Sequence, residues 1–352
     1  MIRHSMPSVY DVKSILRDIN KIFKYRYFAE NKFVAQFEKA LCKFFGSKYA
    51  VCVSSGTAAL HLALNSLGVD THSEVIIPAY TCAAILNSVL YTGAKPVIVD
   101  VDIEDGNINY MNIKKAITKK TAAIIVPHMF GFPVKDIKII VELGIPVIED
   151  TTQSLGARVN NKLVGTFGKI NVLSFYATKL ITTFGEGGAI LTDDEKIYKI
   201  IKDIKEYDKK TEFKIRYNYK LAEIQAIMGI YQMKNVYRVI NKRRKIFEYY
   251  KNELKNCNKI KILSPKENTE PVFYRFILQL KNENLKYCIQ KFKSFGIEVA
   301  RPVYLPLDKY YLGKFVCKNA KMLYDTTLSL PIYPDLRKSD LNYIVDVTKK
   351  II

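Results

Sequence analysis

Four short segments carry side chains suited to chemistry. Ser54-Ser55-Gly56-Thr57-Ala58 is a run of small residues between an apolar string and a helical pattern. Such a turn offers backbone N–H groups, hydroxyls and the positive end of a helix to an anion. Capping of that helix by Ser or Thr would account for the same residues. Glu149-Asp150-Thr151-Thr152-Gln153 places acids directly after the apolar IPVI, where a carboxylate is costly unless it has a partner. A protonated ring nitrogen is one such partner; helix capping by Asp150 is the ordinary alternative. Ser174-Phe175-Tyr176-Ala177-Thr178-Lys179 places a lysine just past another apolar string. Partial desolvation there frees the amine for imine formation, although a lone lysine is more often a surface residue. Gly185-Glu186-Gly187-Gly188 is a tight turn whose glycines permit close backbone approach to a ligand or simply lead into a strand.

The elements that would position these segments are legible in the hydrophobic pattern. Seven apolar strings stand at 49–53, 74–78, 95–101, 122–127, 145–150, 171–176 and 188–192. They are unbroken rather than alternating, which suits a mostly parallel sheet buried on both faces. Helical patterns such as AALHLALNSL and TCAAILNSVLYTG lie between them. The expected fold is α/β: a large domain with a mostly parallel seven-stranded sheet between helices, plus a smaller C-terminal α/β domain. The expected division is an N-terminal helical segment at 1–30 packing with the small domain, a large domain at 31–234 and a small domain at 235–352.

In such a sheet, sites form at the carboxyl ends of strands, and all four segments fall there. An anion cradle, an acid, a hydroxyl with a lysine and a glycine turn are together what pyridoxal 5'-phosphate (PLP) requires. The acid keeps the pyridine nitrogen protonated, and that makes the ring an electron sink.

The sequence also resembles the DegT/StrS family of nucleotide-sugar aminotransferases, within the fold-type I PLP enzymes. The resemblance runs over almost the whole chain. It rests on FEKALCKFFGSKYAVCVSSGTAALHLAL, VIIPAYT, GAKPVIVDVD, VIEDTTQSLGA, GTFGKINVLSFYATKLITTFGEGGAI, YNYKLAEIQAIMG and LSLPIYPDL. It implies that Lys179 holds the cofactor as an imine and that Asp150 pairs with the pyridine nitrogen. It implies that Gln153 bonds the phenolic oxygen and that Gly56, Thr57 and Ser174 contact the phosphate. Asn218 matches an asparagine that reaches the cofactor of the other subunit, which implies a homodimer with shared sites. Where relatives place an aromatic residue or His against the cofactor ring, this chain has Cys82, with Tyr80 nearby as a compensating ring. The segment YFAENKFVAQFE lacks a glycine found in many relatives, and GVDTHSEV replaces a glycine–acid turn; both read as loop variation. Tyr80, Glu186, Arg301 and Tyr333 are candidate substrate contacts by region.

The implied reaction moves an amino group, with glutamate as expected donor, to a nucleotide-activated keto-sugar in amino-sugar biosynthesis for surface polysaccharide or glycan. Lys179 would also serve as the base that moves a proton. Relatives of dehydratase type carry His at that position, so the lysine argues for amino transfer. A keto-cyclitol acceptor, and a non-catalytic regulator or binding protein on the same fold, are the alternatives; the second expects loss of Lys179, Asp150 or the cradle, and none is lost.

Composition narrows the rest. The 352 residues suffice for two domains, and no string of eighteen apolar residues announces a membrane helix. The first residues carry charges where a signal peptide needs an apolar run, so a cytoplasmic location is expected. Six scattered cysteines without a CxxC pair, and four histidines off ligand spacing, point away from disulfides and metals. The net charge of +21 invites a nucleic-acid reading. Much of the excess lies between Lys234 and Lys261, where Tyr237, Ile240, Phe247, Tyr250 and Leu254 form an apolar stripe. Arg238, Lys242, Arg243, Lys245 and Lys251 mostly occupy other faces. A solvated basic surface is the favoured reading, and it would attract a substrate carrying phosphates.

Overall fold

A computed structural model describes residues 1–208, 210–311, 313 and 315–352. The first part of the chain runs α1 (Val12–Tyr25), α2 (Lys32–Phe45), β1 (Tyr49–Val53), α3 (Gly56–Ser66), β2 (Glu74–Pro78), α4 (Ala83–Tyr91), β3 (Lys95–Val99), α5 (Tyr110–Ala116), β4 (Thr121–Pro127), α6 (Ile137–Val141) and β5 (Val147–Asp150). It continues through β6 (Arg158–Val159), β7 (Lys162–Leu163), β8 (Ile170–Ser174), β9 (Gly188–Thr192), α7 (Glu195–Ile204), α8 (Glu223–Lys234) and α9 (Val236–Leu254). The seven expected strings are the seven strands of the main sheet, ordered β1-β9-β8-β5-β4-β2-β3. Only β9 runs against its neighbours β1 and β8; the other pairings are parallel. Burial on both faces explains the unbroken apolar strings: Val51 and Val53 face one core, Ala50 and Cys52 the other.

The C-terminal part is a three-stranded antiparallel sheet with helices. Its elements are β10 (Ile260–Ile262), β11 (Thr269–Glu270), β12 (Phe276–Leu280), α10 (Leu285–Ser294), α11 (Leu307–Tyr310), α12 (Lys318–Thr326), β13 (Thr327–Leu330) and α13 (Lys338–Ile351). The sheet order is β10-β12-β13. Strand β11 instead joins the β6–β7 hairpin, turned by Asn160 and Asn161 at φ of 47° and 63°. Two-residue strands leave too short a pattern to read in sequence.

Helix α9 serves both parts. Its Val236, Val239 and Ile240 pack with Phe37 and Leu41, whereas Ile246, Phe247, Tyr250 and Leu254 pack with Phe276 and Leu330. The Phe247 and Phe273 rings stack with centroids 3.9 Å apart. The chain therefore passes from one core to the other within the helix, not at its start. Two expectations for α9 need correction. Tyr237 is mostly exposed, and Arg243 is buried rather than part of the basic face. Its guanidinium donates to the carbonyl oxygens of Tyr274 and Ile332 at 3.1 and 2.7 Å.

The N-terminal segment also differs from expectation. Only its first residues reach the small domain: Ile2 exchanges backbone hydrogen bonds with Gly296 and Glu298. Helix α1 lies on α8 of the large domain, burying Ile15 and Ile22 against Ile227, Met228 and Tyr231. An amphipathic pattern announces a buried face without naming what covers it. Among the described residues, no helix is long and apolar enough to cross a membrane.

Helix α8 anchors α2 through charge. Glu223 is almost fully buried, and its carboxylate accepts the backbone N–H groups of Asn31, Phe33 and Val34, each at 2.9 Å. These are orphan donors at a helix start, where a negative charge also meets the positive helix end. Glu223→Ala should lower stability by about 2–4 kcal/mol, because three backbone donors, that of Val34 buried, lose a buried charged acceptor. Urea denaturation would read this as a lower midpoint at unchanged slope.

Candidate active site

Helix α3 begins where three strand ends meet. Ser55 caps it, accepting the Ala58 N–H at 3.1 Å, so the capping role anticipated from sequence is present. It leaves the N–H groups of Gly56 and Thr57 without an acceptor among the described residues. A Cβ on Gly56 would stand 2.5 Å from Cβ of Ser174, and one on Gly188 would collide with the Ser55 carbonyl. The two glycines therefore let the helix start press against the end of β8 and the beginning of β9. The Ser174 N–H donates to Thr152 Oγ1 at 2.9 Å, and Ser174 Oγ accepts from Tyr176 N–H at 3.3 Å. The Thr152 and Ser174 hydroxyl protons stay free to point at a ligand. Two N–H groups, several hydroxyls and a helix end form a cradle for an anion such as a phosphate.

The two acids at the end of β5 face opposite ways, as successive strand residues must. Glu149 has no exposed surface. Its carboxylate accepts the N–H groups of Gly165, Phe167 and Gly168 at 2.7, 2.7 and 2.6 Å, and His128 Nε2 stands 3.1 Å away. The Val134 N–H donates to His128 Nδ1 at 2.9 Å. That nitrogen is an acceptor, so Nε2 carries the proton given to Glu149. Asp150 is half-buried at the cavity. One of its oxygens accepts the Thr152 N–H at 3.0 Å, and the other accepts from no described residue. That free oxygen is what a protonated ring nitrogen would use.

Lys179 is half-buried, with Nζ 5.6 Å from the centre of the Tyr274 ring and no ion pair among the described residues. Gln153 has a fixed orientation, since its Oε1 accepts the Phe130 N–H at 2.8 Å. Its amide N–H groups are thereby left to donate to a ligand oxygen. Gly56, Thr57, Cys82, Asp150, Gln153, Ser174, Lys179 and Glu186 all line one cavity of about 260 Å³, near the lower end of ligand-pocket size. An anion cradle, an amine, an unengaged carboxylate oxygen and a single amide donor make a donor set that fits PLP.

The structure separates the remaining candidates from this cavity. Tyr80 is wholly buried, its hydroxyl 2.9 Å from Thr327 Oγ1 and its ring edge-on to Phe130. It is a packing residue and presents no face to a ligand, which corrects the expectation of a substrate contact or compensating ring. Tyr333 is likewise buried in the core. Arg301 donates Nε–H to the Tyr324 carbonyl at 3.1 Å and lies over the Tyr324 ring, so it too is held away. Its successors do reach the site. Val303 and Tyr304 line a second pocket of about 150 Å³ that shares Thr81, Cys82, Met129 and Gln153 with the first. Asn218 is exposed and lines neither pocket, but the carbonyl of its neighbour Tyr219 accepts the Ser54 N–H at 2.9 Å.

Sequence reasoning did not single out His128, Thr152 or Tyr274. His128 follows the string AAIIVP directly, so its place at a strand end was a usable signal. Tyr274 precedes β12 and reaches Lys179 only through tertiary packing.

Asp150→Asn should leave a folded protein that retains some cofactor and loses most turnover, because an amide cannot hold a ring proton. Glu149→Gln should instead lower stability by about 2–4 kcal/mol, since its amide nitrogen would oppose an N–H donor in a dry site. Paired thermal melts and activity assays check both, and near-normal turnover in a folded Asp150→Asn protein would reduce that residue to a cap.

Comparison with known proteins shows the family. Residues 10–349 match the profile of the DegT/DnrJ/EryC1/StrS aminotransferase family. The chain is 32% identical to a GDP-perosamine synthase of Escherichia coli O157:H7, over 90% of each chain. It is 30% identical to a UDP-N-acetyl-3-dehydro-alpha-D-glucosamine 3-aminotransferase of Acidithiobacillus ferrooxidans, covering 87% of this chain and 85% of the other. Among solved structures, Helicobacter pylori PseC, an aminotransferase involved in the biosynthesis of pseudoaminic acid, superposes with a TM-score of 0.90. Its identity is 26%, over 99% of this chain and 98% of that one.

Proposed function

Because the chain belongs to the DegT/DnrJ/EryC1/StrS aminotransferase family and is a PLP-dependent aminotransferase, we propose that it transfers an amino group from glutamate to the keto carbon of a nucleotide-linked sugar, for polysaccharide or glycan biosynthesis in the cytoplasm. The observation that carries this reading is the unpaired Lys179 amine in the same cavity as Asp150 and the start of α3. The bound cofactor supplies an electron sink for the pair left when the substrate carbon loses its proton. Lys179 would hold the cofactor through its amine, and, once the substrate's amino group has displaced that amine, would be the base placed to take a proton from one carbon and return it to another. Asp150 keeps the ring nitrogen protonated, Gln153 donates to the phenolic oxygen, and Gly56, Thr57 and Ser174 bind the phosphate. The shared wall of the two pockets gives a sugar room beside the amine, with Cys82 between them. Relatives named for GDP- and UDP-sugars support a nucleotide-linked acceptor, and a net charge of +21 favours a substrate carrying phosphates.

The proposal includes a homodimer whose partner supplies Asn218. Phe213 and Ile215, close to it in sequence, are 99% and 73% exposed, and Tyr176 of the cavity lining and Phe184 are also exposed. Such a surface suits burial against a second copy.

Incubation with glutamate and a panel of nucleotide keto-sugars, read by mass spectrometry, should give one aminated nucleotide sugar; amination of keto-cyclitols alone would overturn the substrate class. Lys179→Ala and Asn218→Ala, each inactive alone, should complement when unfolded together and refolded. Each mixed dimer would carry one intact site, so recovery should approach about half of its site capacity. No recovery in mixed dimers verified by native mass spectrometry would mean that Asn218 serves its own subunit or has no role at the phosphate.

A further inference from the structure

Tyr274 stands among three cations that form no ion pair with a carboxylate among the described residues. It is 3% exposed. The Lys179 ammonium and the guanidinium groups of Arg275 and Arg243 lie 5.6, 4.7 and 5.7 Å from its ring centre. The hydrogen bonds of Arg243 go to carbonyl oxygens and those of Arg275 to the His4 ring; no carboxylate takes one among the described residues. Arg243 Nε is buried and without a partner. Burial and Arg275 push the His4 imidazole down to about 3, so it brings no charge of its own. Tyr10, over whose ring Arg238 lies, is the remaining phenol near Arg243.

The backbone is strained where it delivers this phenol. Phe273, just before it, has a φ of 54°, and Phe130, whose carbonyl accepts the Arg275 N–H, has a φ of 61°. Val272 N–H donates to Gly131 O and Arg275 N–H to Phe130 O, while Phe130 N–H is held by Gln153. Left-handed bulky residues are unfavourable and persist where the surroundings require them.

We propose that Tyr274 is a positioning residue for Lys179 and that its phenolate supplies counter-charge within the Lys179–Arg243–Arg275 cluster. This rests on Lys179 being the cofactor-bearing amine. Burial alone pushes the phenol's pKa up, but Arg275, Lys179, the Thr178 hydroxyl and Arg243 outweigh it and bring the group down to about 8. Once the phenol ionises, around pH 8, its negative charge near the Lys179 nitrogen keeps that nitrogen directed at the cavity and stabilises a positive charge on it.

The test uses purified holoenzyme and its Tyr274→Phe variant, which keeps the ring and loses the oxygen. Ultraviolet difference titration should show one of the 24 tyrosines ionising near pH 8, and the variant should lack that transition. The pH midpoint of the visible cofactor band should fall by about one unit in the variant, since a nearby negative charge is gone. Superimposable tyrosine titrations, or an unshifted visible midpoint, would overturn the proposal. Should the variant not fold, the wild type decides alone: no tyrosine ionising between about pH 7 and 9 sinks it. A preparation with no visible band sinks the cofactor reading and this proposal with it, whereas a band that titrates identically in both proteins sinks the proposal alone.

Discussion

The Glu149 carboxylate, sealed from water at the end of β5, is the point on which the site hangs. A buried charge is tolerable only when its oxygens are fully engaged. Here three backbone N–H groups of the 165–168 loop and the His128 ring do this. The consequence is geometric. The loop that leads into β8 is tied to β5, and the end of β4 is tied to both. Strand alternation then obliges Asp150, the next residue, to face the cavity, with the Ser174 end of β8 at its side. One electrostatic requirement thus fixes the relative positions of the acid, the hydroxyl and, five residues further on, the amine.

Close packing completes what that charge begins. Gly56 and Gly188 allow the start of α3 to approach the ends of β8 and β9 more nearly than any side chain would permit, so the anion cradle sits beside the amine. Glu223 does for α2 what Glu149 does for the 165–168 loop, gathering backbone donors on one buried carboxylate. A single hydrogen bond from Phe130 to Gln153 serves two ends. It orients the amide toward the cavity and steadies the segment that carries Tyr274 to Lys179.

The large domain was readable in sequence because its strands are buried on both faces, and such strands appear as unbroken apolar strings. The cradle, the acid and the lysine were readable because they stand where those strings end. Short-range signals failed where tertiary contacts decide. Tyr80 follows a strand end like the true cavity residues, yet its ring turns into the core and bonds Thr327. Arg243 reads as one more base on a charged helix but lies buried against two carbonyl oxygens. Helix α1 shows an apolar face that suits either domain, and it covers α8. The β6–β7 hairpin is too short to carry a pattern. Tyr274 lies nearly a hundred positions from Lys179 in sequence, and nothing local in PVFYRFIL announces that they meet.

The central claim is that the Lys179 amine is the group bonded to the cofactor. Borohydride reduction of the purified protein, followed by digestion and mass spectrometry of the peptides, tests it most directly. The structure predicts loss of the visible band and a single reduced pyridoxyl adduct on the peptide containing Thr178 and Lys179. An adduct on any other lysine, with the Lys179 peptide unmodified, would contradict it.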